Sequence, residues 1–198
     1  MDICSDAGAI EASFARPAAF AAVYDRHAGV LFRFLVRRVG RDTADELLGE
    51  TFRIAFERRA TFDTTRPDAR PWLYGIATNL IARHRRAEMR RIRATARLVS
   101  VPSGDAVADR VAADVDARDI WPAVAEAIAE LPDRERDALL LLVWEELSYD
   151  EIASALQIPV GTVRSRLNRA RRRIRELVER SGEEISEHNP ATRGRIGS

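Results

Sequence analysis

The sequence predicts an all-α protein built from two small helical domains with an acidic linker between them. Three observations carry that prediction. Apolar residues recur at steps of three and four along each long segment, which places them on one face of a helix, and no strand-like alternation of useful length occurs. Helix-start signals stand at the head of these segments: Thr43 with Glu46, Pro71, and Ser148 with Glu151. The charge is also partitioned. Residues 70–97 hold eight Arg against one Glu and residues 161–180 eight Arg against two Glu, while residues 99–151 hold four Arg against fourteen acidic residues.

Taken in order, residues 1–16 are small and acidic without a strong period and read as a loose arm. Residues 18–39 form a helix with core candidates Phe20, Val23, Tyr24, Leu31, Phe34 and Leu35, stopped by Gly40. A capping box of Thr43 and Glu46 starts the next helix, which runs to about Ala60 and buries part of Leu47, Leu48, Phe52, Ile54, Ala55 and Phe56. Asp45, Glu46 and Glu50 give it an acidic exposed face. After a loop over residues 62–70, Pro71 opens a long helix to about Arg93 on an apolar stripe of Leu73, Ile76, Ala77, Leu80 and Ala87. Residues 98–118, with Pro102, Ser103, Gly104 and four Asp, make the linker. Helices over 119–130 and 134–145, separated by Leu131-Pro132-Asp133, support a last helical pair, and residues 181–198 make a tail. The two domains are accordingly 17–97 and 119–180.

Composition narrows the function classes. A hydrophobic content of 46% is that of a globular protein. The net charge of +1 conceals two separated electropositive stretches, which point to two nucleic-acid contacts. Cys4 is the only cysteine, so neither an internal disulfide nor a cysteine metal cluster is possible. No signal peptide is evident, and the longest apolar run, residues 138–144, falls far short of the roughly 20 residues of a membrane span. The expectation is a cytoplasmic protein without membrane insertion.

The sharpest local signal lies in residues 147–177. Ser148 and Glu151 form a capping box, and Leu147 and Ile152 stand at the spacing of a hydrophobic staple around it. Gln157, Ile158 and Pro159 break that helix, and Pro159 suits the start of another. In the second helix Val163, Leu167, Ala170, Ile174 and Leu177 line one stripe. At about 100° per residue, Ser165, Asn168 and Arg172 point away from it, Arg164 and Arg169 lie to either side, and Arg166, Arg171 and Arg173 border the seam. An apolar seam under a polar face with flanking arginines fits a helix in the DNA major groove. A solvated amphipathic helix in a bundle would show part of this pattern. The capped helix, short turn and second helix together favour a helix-turn-helix.

On the helix opened by Pro71, Trp72, Asn79, Arg83, Arg86 and Arg90 fall within about 60° of one another. An aromatic and a row of arginines can serve single-stranded nucleic acid, stacking on bases and tracking the backbone. A core tryptophan beside an ordinary solvated arginine row has the same pattern, and this helix alone does not choose between them. Nothing points to catalysis. His27, His84 and His188 are far apart without partners at metal-ligand spacing, and His84 reads as a packing histidine. Phosphate-loop, dinucleotide and nucleophile-elbow motifs are missing. No enzyme, cofactor, metal or small-molecule substrate is expected.

Three stretches resemble the extracytoplasmic-function sigma factors of bacterial RNA polymerase. Thr43-Ala44-Asp45-Glu46-Leu47-Leu48-Gly49-Glu50-Thr51-Phe52 is similar to their polymerase-clamp helix, with Gly49 where many members carry Gln. Pro71-Trp72-Leu73-Tyr74-Gly75-Ile76-Ala77-Thr78-Asn79-Leu80, followed by Arg83, Arg85 and Arg86, is similar to their −10 segment. Leu131-Pro132 to Glu135, Leu147 to Ala153 and Gly161-Thr162-Val163-Arg164-Ser165-Arg166-Leu167 are similar to their −35 domain. The resemblance implies that Asp45, Glu46, Leu47, Glu50 and Thr51 bind polymerase. It implies that Arg164, Ser165, Arg166, Asn168, Arg169 and Arg172 read −35 duplex. Asp68, Arg70, Trp72, Asn79, Arg83 and Arg86 would handle melted −10 DNA, with a flipped base held in the loop over residues 62–70. The implied partners are core RNA polymerase, promoter DNA and an anti-sigma factor.

Three other readings compete, one of them a sigma-fold protein that has lost activity and serves as a binding decoy. A helix-turn-helix activator that does not replace sigma on polymerase accounts for the C-terminal third and leaves residues 43–97 unexplained. A small helical enzyme acting on nucleic acid would need a carboxylate or histidine cluster that the sequence does not offer.

Overall fold

The computed structural model describes residues 5–98 and 121–188, and every regular element among them is helical. In order these are α1 (Asp6–Ala15), α2 (Ala21–Val39), α3 (Arg41–Glu57), α4 (Arg70–Leu98), α5 (Trp121–Glu130), α6 (Asp133–Val143), α7 (Tyr149–Leu156) and α8 (Val160–His188). Short 3₁₀ turns, Pro17–Phe20 and Arg59–Thr61, follow α1 and α3.

Helices α2, α3 and α4 pack against one another around Val23, Leu31, Phe34, Leu35, Ala44, Phe52, Ala55, Leu73, Ala77 and Ile81, all buried. Gly40 alone joins α2 to α3 at φ +78° and ψ 169°, a backbone conformation free of steric cost for glycine and strained by about 1–3 kcal/mol for other residues. The turn is tight enough that α3 starts at Arg41 without a side-chain cap. The expected box of Thr43 and Glu46 therefore lies inside the helix and does not form. Helix α3 stops at Glu57, short of Ala60.

The largest departure is at the N-terminus, where a loose arm was expected. Ser5 accepts from the Gly8 N–H at 3.1 Å and caps α1. Ala9 and Ile10 of α1 are fully buried in the first helical unit. The helix is built of small residues, so its apolar face carries little periodic signal, and the available sequence cue was Ser5 ahead of a helix-compatible run.

Helices α5, α6 and α7 pack on α8 around Leu131, Leu141, Leu147, Ile152, Val163, Leu167 and Ala170. Arg136 closes the α5–α6 turn by donating to the carbonyls of Ala129 and Leu131. The capping box at Ser148 is present: Glu151 N–H donates to the Ser148 hydroxyl at 3.3 Å, and Ser148 N–H donates to the Glu151 carboxylate at 2.7 Å. Gln157 ends α7 in the left-handed region at φ 53°, ψ 48°. The Ile158 N–H then reaches the Ala153 carbonyl at 3.0 Å and the Gln157 N–H that of Ser154 at 3.3 Å, the Schellman pattern of a helix end.

The remaining boundaries differ from expectation in extent. Helix α4 includes Leu98, placed in the linker by sequence, and α8 carries residues 181–188 that were assigned to the tail. Linker residues 99–118 and tail residues 189–198 lie outside the described residues.

The two helical units are in contact, because α7 packs along α4 and α6 touches it. The Tyr74 hydroxyl donates to the buried Glu145 carboxylate, and Arg70 Nη2 donates to the Glu145 carbonyl at 2.8 Å. Arg38 Nη2 donates to Asp137 Oδ1 at 2.6 Å across the same boundary. Arg85 reaches Asp133 at 3.1 Å, and the Arg37 guanidinium lies over the Trp144 ring at 5.1 Å.

Candidate nucleic-acid interface

Helix α8 presents the face that its sequence phase demands. Val163, Leu167 and Ala170 are fully buried, while Arg164, Ser165, Asn168, Arg169 and Arg172 are exposed. The Ser165 hydroxyl donates back to the Thr162 carbonyl at 2.9 Å, and Arg172 leans on Glu176 at 3.6 Å. Arg166 differs from the rest. It is half-buried, and its proton affinity is lowered, first by burial and then by the neighbouring Arg134 charge.

Glu135 was not singled out by sequence reasoning. This carboxylate on α6 is 7% exposed and faces α8, with Arg169 Nε at 3.3 Å and Arg173 Nη1 at 3.5 Å. A buried carboxylate beside two arginines restrains them without burying them, and it lies some thirty residues away in sequence. No local pattern announces it.

On α4, Asn79, Arg83, Arg86 and Arg90 are exposed along one line. Trp72 is half-buried, with its ring against Phe62 at 5.3 Å between centroids. The tryptophan therefore closes the edge of the core while keeping part of its surface at the mouth of the loop over residues 62–70. Asp68 accepts from the Arg70 N–H at 2.8 Å and so caps α4. Arg70 itself is directed at the Glu145 carbonyl, away from the arginine line.

The acidic face of α3 is divided. Asp45 and Glu46 are exposed, and Glu50 is held by Arg53 at 2.6 and 2.7 Å, which together with nearby Arg83 lowers its pKa. Leu47 and Thr51, which the resemblance assigned to polymerase binding, do not face outward, and for Leu47 this agrees with its place on the apolar period. Leu47 is 7% exposed and Thr51 fully buried, its hydroxyl donating to the Leu47 carbonyl at 2.6 Å. Both lie on the stripe with Ala44 and Ala55 that packs against the neighbouring helices, so neither is available to a partner in this state.

His84 is also corrected. It is only half-buried and stands 3.7 Å from Glu88 one turn on. Asp6, His27 and Asp68 bring three potential ligand atoms within 4.8 Å. The Asp6 carboxylate there is already occupied by Arg26 at 2.5 Å, His27 at 2.6 Å and the Ala69 N–H at 2.8 Å. A guanidinium in contact with that carboxylate opposes a bound cation.

The geometry defines a helical DNA-binding protein with two basic faces, one on a helix-turn-helix and one on a long helix that ends beside an aromatic-lined loop. Comparison with known proteins specifies the class further. The family model Sigma-70 region 2 matches residues 23–91, and Sigma-70, region 4 matches residues 122–174. The chain is 33% identical over 181 residues to the ECF RNA polymerase sigma factor SigL of Mycobacterium tuberculosis, covering 90% of this chain and 96% of that protein. It is 30% identical over 167 residues to SigW of Bacillus subtilis, covering 81% and 89%. The fold matches that of the sigma factor RpoE in its co-crystal with the anti-sigma factor NepR from Bartonella quintana. That match has a TM-score of 0.60 at 22% identity, over 82% of this chain and 98% of that one.

The chain belongs to the ECF sigma factors of the sigma-70 family. It binds core RNA polymerase and promoter DNA and directs promoter-specific initiation of transcription. No helix among the described residues is long and apolar enough to cross a membrane.

Proposed function

We propose that α8 reads the −35 element as duplex, and that α4 with the loop over residues 62–70 captures the −10 element as single strand. The observation that carries this is the outward face of α8: Arg164, Ser165, Asn168, Arg169 and Arg172 exposed above a fully buried seam. Arg164, Arg169 and Asn168 have the fork and amide geometry that pairs with guanine and adenine edges, each good pair contributing about 1–3 kcal/mol of discrimination. Arg166, half-buried, serves the phosphates at the edge of the groove.

At the −10 element, Trp72 offers a partly exposed ring, Asn79 hydrogen-bonding capacity, and Arg83 and Arg86 a track for phosphates. Asp68 and Arg70 shape the loop rather than face the strand, since Asp68 caps α4. Flipping a base costs a few kcal/mol of unstacking, which a preformed pocket offsets. Asp45, Glu46 and Glu50 form the polymerase-facing surface, with Leu47 and Thr51 supporting it from the core. The protein acts by binding rather than by catalysis. It works in the cytoplasm, where polymerase is. An anti-sigma factor is the expected regulator, because the structural relative described above is a complex with one.

This reading demands that the molecule open. The −35 and −10 elements are separated by roughly 25 base pairs, on the order of 80 Å of duplex at ~3.4 Å per pair, and units in contact through α4 and α7 cannot span that distance. Transcription with purified core polymerase on promoter fragments tests the whole proposal. Specific initiation with no other sigma present supports it. DNA binding without initiation would assign the chain to the activators.

A further inference from the structure

Helix α1 precedes the region matched by the family models, and its two ends grip the two stems of the loop over residues 62–70. At its first turn, Asp6 makes a double contact with the second stem. The Asp6 N–H donates to the Pro67 carbonyl at 3.2 Å, and its Oδ2 accepts from the Ala69 N–H at 2.8 Å. The same carboxylate is tied to α2 by Arg26 at 2.5 Å and His27 at 2.6 Å. At its last turn, the Phe14 ring lies 4.9 Å from the Arg59 guanidinium, which also lies over the Phe56 ring at 4.1 Å. Arg59 belongs to the 3₁₀ turn that feeds the first stem, and it donates to the Phe56 carbonyl at 2.7 Å.

Asp6 is 5% exposed, a depth at which a carboxylate persists only when fully partnered. Burial raises its pKa, but the bonds from His27, the Ala69 N–H and Arg26 outweigh that and hold it at about 2. The anion is thus fixed, and Asp6 holds two backbone groups of the second stem, the Ala69 N–H through its carboxylate and the Pro67 carbonyl through its own N–H. The other hydrogen bonds of the loop, such as Arg66 N–H to the Asp63 carbonyl at 3.0 Å and Thr65 N–H to the Asp63 carboxylate at 3.1 Å, are local to it. Phe14 is 53% exposed, so its placement over Arg59 is not a requirement of the core.

We infer that α1 is a strap that pre-organises the base-capturing loop, and that Asp6 and Phe14 are positioning residues for −10 recognition. The inference rests on the reading that this loop holds an unstacked −10 base. A loop fixed at both stems loses less freedom on taking up a base, so its selectivity among bases depends on the strap. Contacts of α8 with −35 duplex lie on the other helical unit and do not depend on it.

The test is transcription in vitro by core polymerase with the full chain, on a promoter library randomised over both elements, with the RNA products sequenced. Wild type, Asp6→Ala, Asp6→Asn and Phe14→Ala are compared, and thermal melts report folding. The expected result is that Asp6→Ala and Phe14→Ala reduce base preference at −10 at least tenfold, while −35 preference stays within twofold. Asp6→Asn, which retains an acceptor for the Ala69 N–H, should recover part of the −10 preference. Unchanged −10 preference in folded Asp6→Ala or Phe14→Ala overturns the inference, as does an equal loss at both elements. Should Asp6→Ala not fold, Phe14→Ala decides, because its ring is half in solvent. Wild type lacking any −10 preference would instead overturn the reading of the loop itself.

Discussion

The carbonyl oxygen of Ala155 occupies the place where a β-carbon on Gly75 would stand, with the Ala155 carbonyl carbon and α-carbon 3.1 and 3.2 Å from the same point. Gly75 is in the second turn of α4 and Ala155 in α7, so this close approach is where the two helical units meet. A helix-interior glycine costs roughly 1 kcal/mol relative to alanine, and here it admits a backbone where no side chain could fit.

Gly75→Ala should therefore separate the units instead of unfolding them. Alanine is the better helix former in α4, and the clash is with backbone, which cannot rotate aside. We expect far-UV circular dichroism to stay constant while the radius of gyration from small-angle scattering rises above the ~16 Å of a compact chain of this length. An unchanged radius with retained α4–α7 contacts would show that the interface absorbs a methyl group.

The interface is not optimised for permanence. Arg38 is 3% exposed and uses Nη2 on Asp137, but its Nε and Nη1 have no hydrogen-bond partner among the described residues. Separation returns those groups to water, which offsets part of the lost contact. This fits a junction that polymerase and DNA can open.

Tyr74→Phe tests the polar centre of that junction. It leaves the Glu145 carboxylate buried without its donor, at about 1–3 kcal/mol. Burial, then the Glu145 carboxylate, pushes the Tyr74 phenol above its ordinary 10.0. A raised folded-state value means that the neutral phenol's contribution is complete below pH 10 and is lost as pH rises beyond it. Denaturation followed at increasing pH should show wild type losing stability above pH 10 more steeply than Tyr74→Phe. Parallel curves would remove the buried phenol from the account.

Leu167→Ala and Asn168→Ala separate scaffold from reading face at adjacent positions. Leu167 is fully buried, and its truncation should cost about 2–5 kcal/mol in chemical denaturation. Asn168 is exposed, so its truncation should leave stability within about 0.5 kcal/mol and weaken −35 duplex binding roughly tenfold. Arg169→Ala is a poorer probe, since it also strips Glu135 of one of its two arginines. Equal stability losses at 167 and 168 would mean that the phase of α8 is wrong.

Gln157→Gly should stabilise the helix-turn-helix by about 1 kcal/mol. The left-handed conformation at the end of α7 strains a residue with a β-carbon, and glycine relieves it, though with some loss to chain entropy in the unfolded state. A raised melting temperature with unchanged DNA affinity is the expected result.

The helices from α2 onward and the phase of α8 were legible in the sequence, because both follow from short-range rules. Capping at Ser148 and a 3.6-residue apolar period act over one or two turns, and the buried seam of Val163, Leu167 and Ala170 appears where that period places it. The exposed line of Asn79, Arg83 and Arg86 was legible for the same reason. The packing of the helices alone decided that the polar Thr51 is fully buried. It alone docked α1 through Asp6, paired Glu135 with two arginines of α8, and set Gly75 against Ala155. The contacts of Asp6, Glu135 and Gly75 join groups from 20 to 80 residues apart, and their energies come from burial and close packing between elements. Local spacing cannot carry that information, because it does not record which helix face meets which.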